Sequence, residues 1–193
     1  RTQVFQFNIG CKIKLHPAYL ELIQCGDLTA DTALSTSLIY DYGAMLRSAQ
    51  IAGALDALTA MSVQYASERI QFGKPIGKFQ AIQQSLAQLA TQTASVGLAS
   101  EVAFRAAVTK SDPRFEIAVA KIRAGEASEL ATSIAHQTHG AIGFTYEHNL
   151  HFATRRLWAW RAEFGTDSEW AEKLGSSALS EGGEALWPYV TAR

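Results

Sequence analysis

The sequence predicts an all-α fold, an antiparallel helical bundle preceded by a short β-like segment. Three observations predict it. From residue 31 onward apolar residues recur at three-to-four spacing along most of the chain. Alanine is frequent in the two longest of these stretches; it favours helix and lets helix axes approach closely. Gly and Pro punctuate the pattern at a few points only, and the segments between them are long enough to lie antiparallel.

The elements follow in order. Residues 1–30 differ from the rest: Val4, Phe5, Phe7 and Ile9, then Lys12 to Leu15, read as one or two short strands interrupted by Pro17 and Gly26. They form a first segment, the remnant of a preceding β domain or an irregular stretch; residues 31–193 form the helical domain. Asp31 or Thr32 offers an early cap. A first helix from Ser37 to near Gln71 carries Leu38, Ile39, Tyr42, Met45, Leu46, Ala49, Ala52, Leu55 and Leu58. A second begins near Ile76 with Phe79, Ile82, Leu86, Leu89, Val96 and Val102, and ends around Lys110. Pro113 suits the first turn of a third helix, where its missing N–H costs nothing. That helix runs from Arg114 to about His139 with Phe115, Ala118, Ile122, Ala127, Leu130 and Ile134 inward, and Gly140 and Gly143 break it. A fourth spans Tyr146 to Trp160 with Leu150, Phe152, Leu157 and Trp158. After a loop from Ala162 to Asp167, a last amphipathic helix covers Ser168 to Ser180 and a loose tail ends at Arg193.

Composition narrows the function. The chain has 193 residues, 48% hydrophobic and 18% charged, with a net charge of -1. That composition excludes a disordered chain, and nothing in it suggests a nucleic-acid or anionic-membrane partner. No apolar run is long enough to span a bilayer. The two cysteines, Cys11 and Cys25, fit no metal motif and make no disulfide framework, so a reduced, cytoplasmic setting is the simpler expectation. His136 with His139, and His148 with His151, stand three apart on helical stretches, but no third ligand accompanies either pair, so no metal is expected. The chain starts with Arg rather than Met and reads as a processed, trimmed or truncated piece.

Two motifs carry the functional signal. The first is Glu68-Arg69-Ile70-Gln71-Phe72-Gly73-Lys74-Pro75-Ile76-Gly77-Lys78-Phe79-Gln80, at the bend between the two longest helices. A guanidinium there offers a planar fork for phosphate oxygens, and Phe72 a flat face for a ring. The second is Gln137-Thr138-His139-Gly140-Ala141-Ile142-Gly143-Phe144-Thr145-Tyr146-Glu147, a tight backbone turn whose N–H groups suit ribose and phosphate oxygens.

In order and separation these blocks resemble the acyl-CoA dehydrogenase family, flavoproteins that oxidise acyl-CoA thioesters, over about residues 37–175. The resemblance implies the family's C-terminal helical domain, FAD as cofactor and an acyl-CoA substrate. It implies a homo- or hetero-oligomer, dimer or tetramer, with similar subunits. Arg69 would reach the FAD pyrophosphate bound by a neighbouring subunit, with Gln71 in support. Phe72 would lie against the adenine or pack at that interface; core packing is the alternative. Gln80 would add a contact, or be a solvated helix residue; Phe79 stands where the family often has a polar residue. Gln137, Gly140 and Ala141 form a further cofactor set, with Ala141 in place of the family's second Gly. Thr166 and Ser168 would add loop contacts.

The family's reaction needs a carboxylate to abstract the α-proton. In most members it is a Glu in the loop after the fourth helix; that position falls on Phe164, and Glu163 lies one residue early. Glu163 is therefore the candidate base, a solvent-facing loop carboxylate being the alternative. Other members carry the base on the first helix, where this chain has Gly43, followed by Ala44 in place of an Arg that holds substrate. Asp41 and Gly165 are candidate substrate contacts, Asp41 alternatively an exposed polar residue. Vacant base positions resemble one partner in heteromeric bacterial acyl-CoA dehydrogenases of steroid and lipid breakdown. Two roles remain open: a dehydrogenase domain, or a non-catalytic subunit supporting a neighbour's FAD site.

Overall fold

The structure, a computed structural model, describes residues 4–6, 12–14 and 36–191. Strands β1 (Val4–Gln6) and β2 (Lys12–Lys14) pair antiparallel, with Phe5 opposite Ile13. The Asp31 or Thr32 cap, Pro17, Gly26 and both cysteines lie outside the described residues.

Among the described residues six helices follow: α1 (Thr36–Glu68), α2 (Gln80–Thr109), α3 (Arg114–His139), α4 (Leu150–Ala162), α5 (Asp167–Glu181) and α6 (Leu186–Thr191). The first four alternate in direction, as short connections require. The central helix is α3, packed against α1, α2, α4 and α5. Alanine is the commonest residue at its buried positions: Ala118, Ala120, Ala124, Ala127, Ala131 and Ala135. A side chain that small lets four neighbours approach one axis. Ile51, Leu55, Leu58, Leu89, Val96, Leu150 and Leu157 fill one core cluster; Met45, Phe104, Ile117 and Trp170 fill a second near the start of α1.

Several boundaries differ from expectation, each for a local reason. Helix α1 stops at Glu68, because Ile70–Gln71 and Lys74–Pro75 form a two-strand hairpin, β3 and β4. Its two-residue turn puts Phe72 and Gly73 at positive φ, 52° and 76°, as a type I′ turn demands. Helix α2 starts at Gln80 rather than near Ile76, since Ile76–Lys78 winds as a 3₁₀ turn. Helix α4 begins at Leu150, not Tyr146, because the His148 ring accepts the Leu150 N–H and fixes the start there. The tail is not loose throughout: α6 forms, and Tyr189 meets Phe115 edge-on at 5.3 Å. Pro188 is compatible with so short a helix, whose first-turn N–H groups need no partner. Of the residues expected inside, Leu38, Ile39, Leu46, Val102, Leu130, Phe152 and Trp158 are exposed.

Candidate functional site

The alternating helices sort the candidate residues to two ends of the bundle. The α1–α2 bend and the α3–α4 turn share one end, where Tyr65 of α1 stacks on His139 of α3 at 4.6 Å. The start of α1 and the α4–α5 loop share the other, where Tyr40 stacks on Trp170 at 5.4 Å. Between Gly43 and Glu68 the helix advances about 1.5 Å per residue, which sets the ends roughly 40 Å apart.

At the first end Arg69, Gln71, Phe72 and Gln80 are all exposed, Phe72 at 91%. The bend is nonetheless well fixed. The Ile76 N–H donates to the Arg69 carbonyl at 2.8 Å, Phe79 meets Phe72 edge-on, and the Lys74 ammonium lies over the Phe79 ring at 4.4 Å. Gln71 donates to the carbonyl of Ile70 at 2.8 Å. No ion pair among the described residues engages Arg69. Gln137, Gly140 and Ala141 are exposed at the neighbouring turn, and the space a Cβ on Gly140 would enter is open. Beneath them Gly143 is tightly seated: a Cβ there would come within 2.9 Å of Leu150. His139 is buried, its Nδ1 bonded to the Ala135 carbonyl, its Nε2 without a partner, and burial holds its pKa below the usual histidine value. An exposed cation, a free aromatic face and an uncrowded backbone turn fit the phosphate, ring and ribose of a dinucleotide.

The second end is closed on itself. Glu163 receives Arg47 Nε and Nη2, both at 2.5 Å, and Arg47 lies over the Trp160 ring at 5.7 Å. Phe164 has a positive φ of 56°, which costs a non-glycine residue about 1–2 kcal/mol. Its ring lies over Gly43, where a Cβ would meet the ring carbons at 2.5 Å. The Phe164 carbonyl accepts the Trp170 indole N–H at 2.8 Å. Gly165 has φ 90°, and a Cβ there would fall 2.0 Å from the Tyr40 hydroxyl, so both conformation and space require glycine. Thr166 closes a capping box with Glu169, and Ser168 is exposed in the first turn of α5. Asp41 is half-buried; burial pushes its carboxyl up, opposed by Arg114 and Lys173. The sequence reading named Glu163, Gly165, Thr166 and Asp41 as candidates, and the fold gathers them at this end; it missed the groups that hold them, Tyr40, Arg47, Lys121 and Trp170. The one signal for Lys121 was a charge on the same stripe of α3 as Ile117, Ala124 and Ser128, all buried.

Known proteins resemble this chain in sequence and fold. The model of the acyl-CoA dehydrogenase C-terminal domain matches residues 36–172. An acyl-CoA dehydrogenase from Mycobacterium tuberculosis, IpdE2, is 35% identical over 118 residues, covering 61% of this chain and 36% of its own length. The structure of butyryl-CoA dehydrogenase from Megasphaera elsdenii superposes with a TM-score of 0.70 at 27% identity, covering 72% of this chain and 37% of that one. The ChsE4-ChsE5 complex from Mycobacterium tuberculosis shares the fold at TM-score 0.71 and 24% identity, covering 77% of this chain and 41% of that chain. The chain thus spans about a third of the length of the curated relatives it matches first. With its helical architecture and more than half its residues covered by the family model, the chain belongs to the acyl-CoA dehydrogenase family, as that family's C-terminal domain.

Proposed function

We propose that this chain serves an FAD-dependent acyl-CoA dehydrogenase, which removes hydrogen from the α and β carbons of an acyl-CoA thioester, and that it contributes cofactor contacts across a subunit boundary. The observation that carries this reading is the separation of the two candidate clusters. Arg69, Gln71, Phe72, Gln80, Gln137, Gly140 and Ala141 lie about 40 Å of helix away from Glu163, Gly165, Thr166, Ser168 and Asp41. One extended flavin dinucleotide is too short to meet both, so Arg69 and its neighbours serve a different cofactor from the one beside Thr166 and Ser168, as in a homo- or hetero-oligomer. Arg69 neutralises phosphate charge, Phe72 offers its ring, and the Gly140 turn offers backbone donors. When bound, the flavin ring supplies the hydride acceptor. Residues 31–193 are the domain that does this; residues 1–30 are the remnant of a preceding β domain or an irregular segment.

Glu163 is the candidate for taking the α-proton. The test is titration of the assembled protein with acyl-CoA: Glu163→Gln abolishes flavin bleaching if Glu163 is the base, and unchanged rates remove it from the mechanism.

A second reading is favoured by one specific contact. The Phe164 ring occupies the space over Gly43, and Glu163 is turned onto Arg47. These are the two positions at which the resemblance locates a base, and here each fills the other. This supports a non-catalytic partner subunit that keeps the fold and helps hold a neighbour's FAD. Assembled protein that retains flavin yet does not bleach with acyl-CoA through this subunit's own site establishes that role; bleaching lost only in Glu163→Gln rejects it.

A further inference from the structure

The α4–α5 loop is gripped from beneath by α3. Lys121 is completely buried, and its ammonium donates to the carbonyls of Trp160 at 3.1 Å and Arg161 at 2.9 Å. These are among the last four carbonyls of α4, which have no partner within the helix. One turn further along α3, Gly125 leaves the space into which Asp167 fits; a Cβ on Gly125 would come within 2.6 Å of the Asp167 side chain. One face of α3 therefore receives both the entrance and the exit of the Glu163–Thr166 segment. Burying an ammonium carries a large desolvation cost, so an apolar side chain would serve better if packing alone were needed. The charged groups around Lys121 are Asp167 of α5, Glu163 of the loop, Arg47 of α1 and Arg161 of α4, two anions against two cations.

We propose that Lys121 is a positioning residue: by holding the Trp160 and Arg161 carbonyls it sets the exit of α4, and thereby turns Phe164 onto Gly43 and Glu163 onto Arg47. Its functional consequence rests on the loop's proposed place beside the acyl site, but its structural action does not.

The test is hydrogen exchange of the Trp170 indole N–H, which donates to the Phe164 carbonyl and so reports the loop directly. Lys121→Met keeps the apolar stem and removes the donor. Exchange of that proton should quicken at least tenfold, while amides of Leu55 and Leu89, in the other core cluster, keep their rates. Gly125→Ala, which pushes on Asp167 at the other end of the loop, should give the same local loosening and stands in should Lys121→Met fail to fold. With exchange corrected for its intrinsic pH dependence, native protection should rise between about pH 8 and 10.5 as the buried amine sheds its proton, and that rise should vanish in Lys121→Met. Unchanged indole exchange, an equal loss of protection throughout α1 and α2, or the same pH profile in both proteins would overturn the proposal. Flavin content of the assembled protein is read alongside. Loosened indole exchange with full flavin content supports the positioning role, while removing the loop from the cofactor contacts.

Discussion

The two ends of the bundle are built in opposite ways. At the α1–α2 bend Arg69, Phe72 and Gln80 project from a rigid corner with their functional groups left to solvent. At the α4–α5 loop almost every group has its partner inside the chain: Glu163 on Arg47, the Phe164 carbonyl on Trp170, Thr166 on Glu169, Arg161 on Asp167. A rigid corner with unspent donors is suited to completion by another molecule. A loop whose donors and acceptors are already matched has little left to offer one, unless it rearranges. The difference teaches that family membership and a working acyl site are separate questions in this chain.

Substitutions at glycine should break the comparison most sharply. Gly165→Ala faces both a positive φ and the Tyr40 hydroxyl, itself held by stacking on Trp170. Unfolding in urea should show a loss of about 4 kcal/mol, the sum of strain and overpacking. Gly73→Ala meets the same φ problem in open space, so about 1 kcal/mol should be lost by the same assay. Equal losses at the two sites would show that the closed end is softer than its geometry implies.

Lys121 should give the next largest effect, and its sign is fixed by linkage. Burial pushes its pKa down to about 8, from an ordinary value of 10.5. Below about pH 8 both folded and unfolded chains hold the proton. Between about 8 and 10.5 the unfolded chain binds more, so stability rises with pH through that window, by up to about 3 kcal/mol. Lys121→Met should lose that rise; parallel stability–pH curves for the two proteins would contradict it. Trp170→Phe should cost about 1.5 kcal/mol, by loss of the bond to the Phe164 carbonyl, measured by thermal unfolding. Smallest of all, Arg69→Ala should move stability by less than about 0.5 kcal/mol, as expected for an exposed residue with no ion pair among the described residues.

The sequence made the helices legible because their apolar spacing and long lengths admit little else. The bounds of α3 came out at Arg114 and His139, where Pro113 and Gly140 punctuate the chain. The hairpin at Ile70–Pro75 was hidden, because its turn places Phe72 where asparagine or glycine is usual. Leu38, Ile39 and Leu130 satisfy helical spacing yet are exposed. Spacing selects a face but does not say whether the chain's own helices cover it. The corner residues were found through a contiguous motif. Tyr40, Arg47, Lys121 and Trp170 escaped because they come from three separate helices, joined only by the fold.

The most direct measurement is the flavin content of the assembled protein with Arg69→Ala, alongside its thermal stability. If the corner holds phosphate across a subunit boundary, bound flavin falls several-fold while unfolding is unchanged. Full retention of flavin, or a loss of flavin that merely tracks a loss of folding, would contradict the account.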